Sequence, residues 1–146
     1  TPIGRRHASC LARLEEIIME RLRKRGIVWT QNPILLNNLS EPQPDIAVLR
    51  RRADFYLASH PIPEDILLLI EVADSTIGLD RTVKIPIYGR NGVQETWLVD
   101  LELSRVEVHL DPNFQGYRTV QTFRFGESIS PQAFPDLSLT VDEIFG

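Results

Sequence analysis

Leu11, Leu14, Ile18 and Leu22 recur at spacings of three and four, which puts them on one stripe of a helix. The pattern predicts an amphipathic helix from about Ala8 to Arg25, with Lys24 and Arg25 suited to the negative end of its dipole and Gly26 as its stop. Cys10 lies beside the stripe and reads as a small packing residue. After Gly26 the pattern changes to short apolar runs. Ile27 to Gln31 and Ile34 to Leu36 read as strands broken by Asn32-Pro33, Asn37 to Pro44 as a loop, and Asp45 to Leu49 as a further strand. Arg50 to Asp65 is a polar connection with a helical turn expected around Phe55 to Ala58. Ile66 to Val72 is aliphatic apart from Glu71, too short for a helix and typical of a strand buried on both faces.

Ala73 to Leu79 reads as a turn, with Ser75 and Thr76 as candidate N-caps for a helix that runs to about Arg90 and stops at Asn91-Gly92. Pro86 is expected to kink or divide that helix. Glu95 to Asp100, Arg105 to Leu110 and Tyr117 to Phe125 are three more strands, separated by Leu103-Ser104 and Asp111-Pro112-Asn113, and Val141 to Phe145 is a last helical turn. Helices interleaved with hairpin-linked strands predict an α/β (α+β) chain with a mixed sheet. No internal repeat or domain boundary is visible.

The chain has 146 residues with near-average apolar and charged fractions, which excludes a disordered or collagen-like polymer. The longest apolar run, Ile66 to Ile70, is far short of a membrane span, and Thr1 to Ala12 has no apolar stretch of the kind a signal peptide carries. A single cysteine suits a reducing, cytoplasmic setting. The net charge of −4 argues against indiscriminate coating of nucleic acid. Its distribution is uneven: residues 1–52 hold ten basic and five acidic side chains, and residues 53–146 hold six and fifteen. A basic first third can guide a phosphate backbone, while acidic groups can hold metal. Only Lys24 and Lys84 are lysines, against fourteen arginines.

The chemistry centres on Asp45 and Glu71. Asp45 begins one strand and Glu71 nearly ends the next long one. If the two strands pair antiparallel, Asp45 falls opposite Glu71 or Val72, and Leu49 opposite Leu67 or Leu68. Opposed Cβ atoms on one face are ~5 Å apart, so the two carboxylates repel unless a cation lies between them. Mg²⁺ is commonly held by one or two carboxylates and keeps several waters. Strand alternation returns position 73 to the same face, but Ala73 has no functional group there. The first lysine downstream is Lys84, four residues from Asp80 and so on the same helix face.

Pro44-Asp45, Ile70-Glu71-Val72, Ser75-Thr76, Asp80, Lys84, Tyr88, Gly92-Val93 and Glu95 to Asp100, in that order, resemble the Uma2 family of bacterial proteins, classed with restriction endonucleases and similar to the PD-(D/E)xK nuclease superfamily. The resemblance extends from Gly4-Arg5-Arg6-His7 to Phe134–Phe145. It implies a restriction-endonuclease-like core, a mixed central sheet flanked by helices, over residues 1–146 as a single domain. It implies a Mg²⁺- or Mn²⁺-dependent DNA endonuclease that hydrolyses phosphodiesters with a metal-activated water. Asp45 and Glu71 would hold the metal with the Val72 carbonyl, Lys84 would replace the lysine missing at Ala73, and Arg5, Arg6 and His7 would reach the substrate. Cleavage of both strands would most simply use a homodimer. Asp74 stands where the family usually has proline, and Thr96 where it usually has tyrosine. The other reading is a nuclease fold that no longer cuts and serves as a binding or assembly module. Taken singly, His7 reads as a surface or capping residue, Asp80 as a first-turn acid, Asp100 as a turn residue, and Trp29 and Trp97 as core. His60 and His109 lack zinc-ligand spacing.

Overall fold

The computed structural model describes residues 4–37, 40–74 and 78–146, and only the backbone of 78–82. The candidate caps Ser75 and Thr76, and the side chain of Asp80, lie outside the described residues. The elements run α1 (Arg5–Leu22), β1 (Ile27–Thr30), β2 (Ile46–Leu49), a short 3₁₀ turn (Pro63–Asp65), β3 (Ile66–Ala73), α2 (Gly78–Arg90), β4 (Glu95–Asp100), β5 (Arg105–Asn113), β6 (Gly116–Phe123), β7 (Ser128–Ile129), β8 (Leu139–Thr140) and α3 (Val141–Phe145).

Strands β1 to β6 form one sheet in chain order, and β7 pairs with β8 separately. All neighbours in the large sheet are antiparallel except β3 and β4. A parallel pair needs a crossover, and α2 supplies it. The continuous aliphatic run of β3 is explained by its place inside the sheet, with both faces covered. Ile46, Val48, Leu68, Ile70, Val72, Trp97, Val99, Val106 and Val108 pack on one face against Leu11, Leu14, Ile18 and Leu22 of α1 and Val141 and Ile144 of α3. The opposite face carries Ala47, Leu49, Leu69, Ala73 and Leu98, which join Ile85 and Tyr88 of α2 in two smaller clusters. The result is the expected mixed α+β sheet flanked by helices.

The helix α2 docks on the β5–β6 hairpin through two glycines. A Cβ on Gly89 would lie 2.3 Å from the Gly116 carbonyl oxygen, so only glycine permits this approach. Pro86 neither kinks α2 into two pieces nor ends it: the helix is one element through Arg90. A Cβ on Gly116 would fall 3.1 Å from the Pro86 Cα, so the proline ring is held inside this same contact.

Other local expectations are corrected. α1 begins three residues before Ala8 and ends at Leu22, because Arg23 and Lys24 adopt left-handed conformations before Gly26 is reached. Ile34 to Leu36 are not a strand. Their N–H groups bond to the carbonyls of Pro42, Pro61 and Ser40, so Ile34 and Leu36 plug the core from a loop. Phe55 to Ala58 make no right-handed helical turn: Phe55 and Tyr56 are left-handed, and both carboxylate oxygens of Asp54 accept N–H groups from Tyr56 and Ala58. β5 runs through the expected turn at Asp111–Asn113. Asp111 absorbs the bend with φ 58°, and the reversal falls at Phe114-Gln115, where Asn113 Oδ1 accepts the Gln115 N–H.

Candidate active site

The β2–β3 register sets Ile46 opposite Ile70, so Asp45 falls opposite Glu71. The other end differs from expectation: Leu49 pairs with Ile66, because a bulge between Val48 and Leu49 shifts the register. At the top of the pair, side chain and backbone exchange hydrogen bonds. Asp45 N–H donates to Glu71 Oε1 at 2.9 Å, and Val72 N–H donates to Asp45 Oδ2 at 2.8 Å. These two bonds continue the ladder by one rung and fix both carboxylates. Their side chains are 15% and 12% exposed.

His7 Nε2 lies 3.2 Å from Asp45 Oδ2. His7 is buried, not a surface cap, because it sits four residues before Leu11 on the same stripe that packs α1 on the sheet. That spacing was the available signal for a role in the site. Among the described residues its buried Nδ1 has no hydrogen-bond partner. Lys84 Nζ lies 3.7 Å from Glu71 Oε2, and its side chain is 38% exposed, so the ammonium bridges the carboxylate and solvent. Asp74 is half-buried beside Gly4, the residue that precedes α1, where the helix dipole favours a negative charge.

The structure therefore brings Asp45, Glu71, Lys84 and His7 together. Arg5 and Arg6 stand on the first turn of the same helix, exposed, with Arg6 Nη2 donating to the Leu101 carbonyl. Across Leu98, which pairs with both Glu71 and Glu107, the same sheet face carries a second polar group. Glu107 is buried between Arg105, 3.4 Å away, and His109, 3.1 Å away. Two strand spacings separate Glu71 from Glu107, roughly 10 Å, too far to share one ion. Asp100 Oδ1 accepts the Leu103 N–H as a turn residue does. Thr96 Oγ1 and the Tyr117 hydroxyl are 2.7 Å apart, and burial pushes the Tyr117 phenol well above its usual range.

No group of three or more His, Cys, Asp or Glu among the described residues is arranged to hold a metal. The donor set is two hard carboxylates, which fits a cation that retains much of its water, as Mg²⁺ or Mn²⁺ does. Asp45 Oδ2 is occupied by an N–H and an imidazole, while Oδ1 carries no hydrogen bond among the described residues.

A family model for Uma2, described as "Putative restriction endonuclease", matches residues 1–142. The chain belongs to the Uma2 family. Among solved structures, a "putative nuclease belonging to DUF820" from Anabaena variabilis aligns with a TM-score of 0.79 at 18% identity, over 99% of this chain and 82% of that one. At that identity the likeness establishes the fold. No match is found among curated proteins. Among the described residues of this Uma2 chain, no helix is long and apolar enough to cross a membrane.

Proposed function

We propose that residues 1–146 act as a single PD-(D/E)xK nuclease-like domain that hydrolyses DNA phosphodiesters with a divalent cation, Mg²⁺ or Mn²⁺. The observation that carries the reading is the convergence of two hydrogen-bonded carboxylates and a half-exposed ammonium at one end of the sheet. Asp45, Glu71 and the Val72 carbonyl would hold the cation, which when bound polarises a phosphate oxygen and acidifies water. The Asp45 carboxylate is held in place by the Val72 N–H and His7, which reduces its freedom before substrate arrives. Lys84 has two tasks: its ammonium orients the attacking water, and it offsets negative charge that grows on the phosphoryl oxygens. Arg5 and Arg6, exposed beside the site, bind backbone phosphates, while His7 acts on Asp45. Cutting both strands takes two sites, supplied most simply by a symmetric dimer.

The test is cleavage of plasmid and linear DNA of varied sequence in Mg²⁺ or Mn²⁺ by wild type, Asp45→Asn and Lys84→Ala. Loss of one charge-stabilising group predicts about 10²–10³-fold slower cleavage for Lys84→Ala. Equal rates for Lys84→Ala and wild type refute the assignment. Metal binding that does not depend on Asp45, with no cleavage, favours the inert binding module.

A further inference from the structure

A groove of about 440 Å³ opens between the first turns of α1, the turn after β4 and the C-terminal segment. Every charged side chain lining it is an arginine: Arg5, Arg6 and Arg13. Their hydrogen-bond partners are neutral. Arg13 donates to the Ile144 carbonyl at 3.1 Å and to Ser9 Oγ at 3.3 Å, and Arg6 donates to the Leu101 carbonyl. Among the described residues no side-chain carboxylate lies within 4.0 Å of any of the three. The first turn of α1 itself holds no acid, so the three arginines lie toward the positive end of the helix dipole; Asp74 faces that end from the side of Gly4 and does not line the groove. The far wall is aromatic: the Phe125 and Phe145 rings are 5.8 Å apart, and Phe125 is 55% exposed.

We propose that this groove holds a single-stranded segment of nucleic acid, with backbone phosphates on Arg5, Arg6 and Arg13 and an unpaired base against Phe125. A basic floor beside an exposed aromatic face is the combination that retains single strands without reading sequence. The volume falls in the range of small-ligand sites, roughly 300–1,000 Å³. Consecutive residues of α1 serve the two places: Arg6 lines the groove and His7 contacts Asp45. A strand leaving the carboxylates is thus directed along α1. The inference rests on the phosphodiesterase reading for what enters the site and shares Arg5 and Arg6 with it, but Arg13 and Phe125 belong to the groove and not to that reading.

The experiment is fluorescence anisotropy with a labelled mixed-sequence single strand and its duplex, in EDTA so that cleavage plays no part. Wild type is expected to prefer the single strand. Arg5→Ala combined with Arg13→Gln should flatten the dependence of log K on log salt by about 1.4, two phosphate contacts at about 0.7 each. Arg13→Lys should restore its share. Arg5→Ala alone, at an exposed position that does not support the fold, should flatten the slope by about 0.7. Phe125→Ala should weaken single-strand binding about 5-fold or more and leave the duplex unchanged. Unchanged slopes in both arginine variants, or equal loss of both ligands with Phe125→Ala, overturn the proposal. The catalytic reading is judged separately by metal-dependent cleavage of a duplex, which needs Asp45, Glu71 and Lys84 and does not need Arg13 or Phe125.

Discussion

Replacing Glu71 by Gln separates the charge of the site from its shape. The amide keeps an oxygen that can accept the Asp45 N–H, now 2.9 Å from Glu71 Oε1, so the top rung of the β2–β3 ladder survives. Among the described residues, what is weakened without metal is the pair with Lys84 at 3.7 Å. With the lysine 38% exposed, that pair contributes no more than about 1 kcal/mol, and relief of repulsion with Asp45 offsets part of it. In EDTA the variant should therefore melt within about 4 °C of wild type. Saturating cation is different. At a concentration 100 times Kd, binding to the folded state adds about 2.7 kcal/mol, which for a chain of this size raises Tm by about 8–11 °C. Loss of one of two carboxylates should weaken binding about 100-fold and leave a rise of only about 1–2 °C. The assay is a circular-dichroism melt in MgCl₂ or MnCl₂ against EDTA, with ionic strength matched by NaCl. A wild-type Tm that does not respond to either cation, or a Glu71→Gln protein that responds equally, refutes the two-carboxylate site.

Two further predictions concern the scaffold around that site. Gly89→Ala places a methyl 2.3 Å from the Gly116 carbonyl oxygen, so α2 must lift from the hairpin. Overpacking of this kind costs about 1–3 kcal/mol or more, and because α2 carries Lys84 the variant should lose cleavage beyond what its urea midpoint explains; unchanged stability and activity would contradict the contact. Cys10 is buried with its thiol against the Ile144 carbonyl, and burial pushes its pKa up from 9.0 to about 11. A pKa raised on folding gives stability that is complete below pH 9.0 and lost as pH rises through about 11. Urea unfolding from pH 8 to 11 should show a loss of about 2 kcal/mol that Cys10→Ala removes, and a thiol reagent at pH 8 should react only at the unfolding rate; rapid labelling of folded protein would contradict the burial.

The central strands were legible because their physics is one-dimensional. The run Ile66 to Ile70 is apolar on both faces, and a strand covered on both sides accommodates it. Strand alternation then fixes which residues share a face with Glu71. The parts that were not legible depend on contacts far apart in the chain. Ile34 and Leu36 have the side chains of a strand, but their N–H groups meet the carbonyls of Pro42, Pro61 and Ser40 instead of a neighbouring ladder. The bulge at Val48–Leu49 moves the far end of β2 without moving Asp45, so the pairing at the site matched expectation while the pairing below it did not. Pro86 reads as a break in isolation, yet α2 continues because the hairpin packs against that turn of the helix.

At the site, Asp45 opposite Glu71 followed from register, but the approach of Lys84 depended on how α2 crosses between β3 and β4, which no local pattern encodes. His7 is instructive, because it was expected near the substrate but its contact with Asp45 was not. Its place at the start of the first helix suggested a surface or capping residue, whereas its spacing from Leu11 and Leu14 put it on the buried stripe. A histidine on an apolar stripe has to meet a polar partner or leave a buried donor unsatisfied. The nearest partner at that end of the sheet is the Asp45 carboxylate. The same helix thus turns one face, through His7, to the carboxylates and an adjacent face, through Arg5, Ser9 and Arg13, to the basic groove. Packing of Leu14, Ile18 and Leu22 into the core fixes the rotation of α1 and so sets both faces at once.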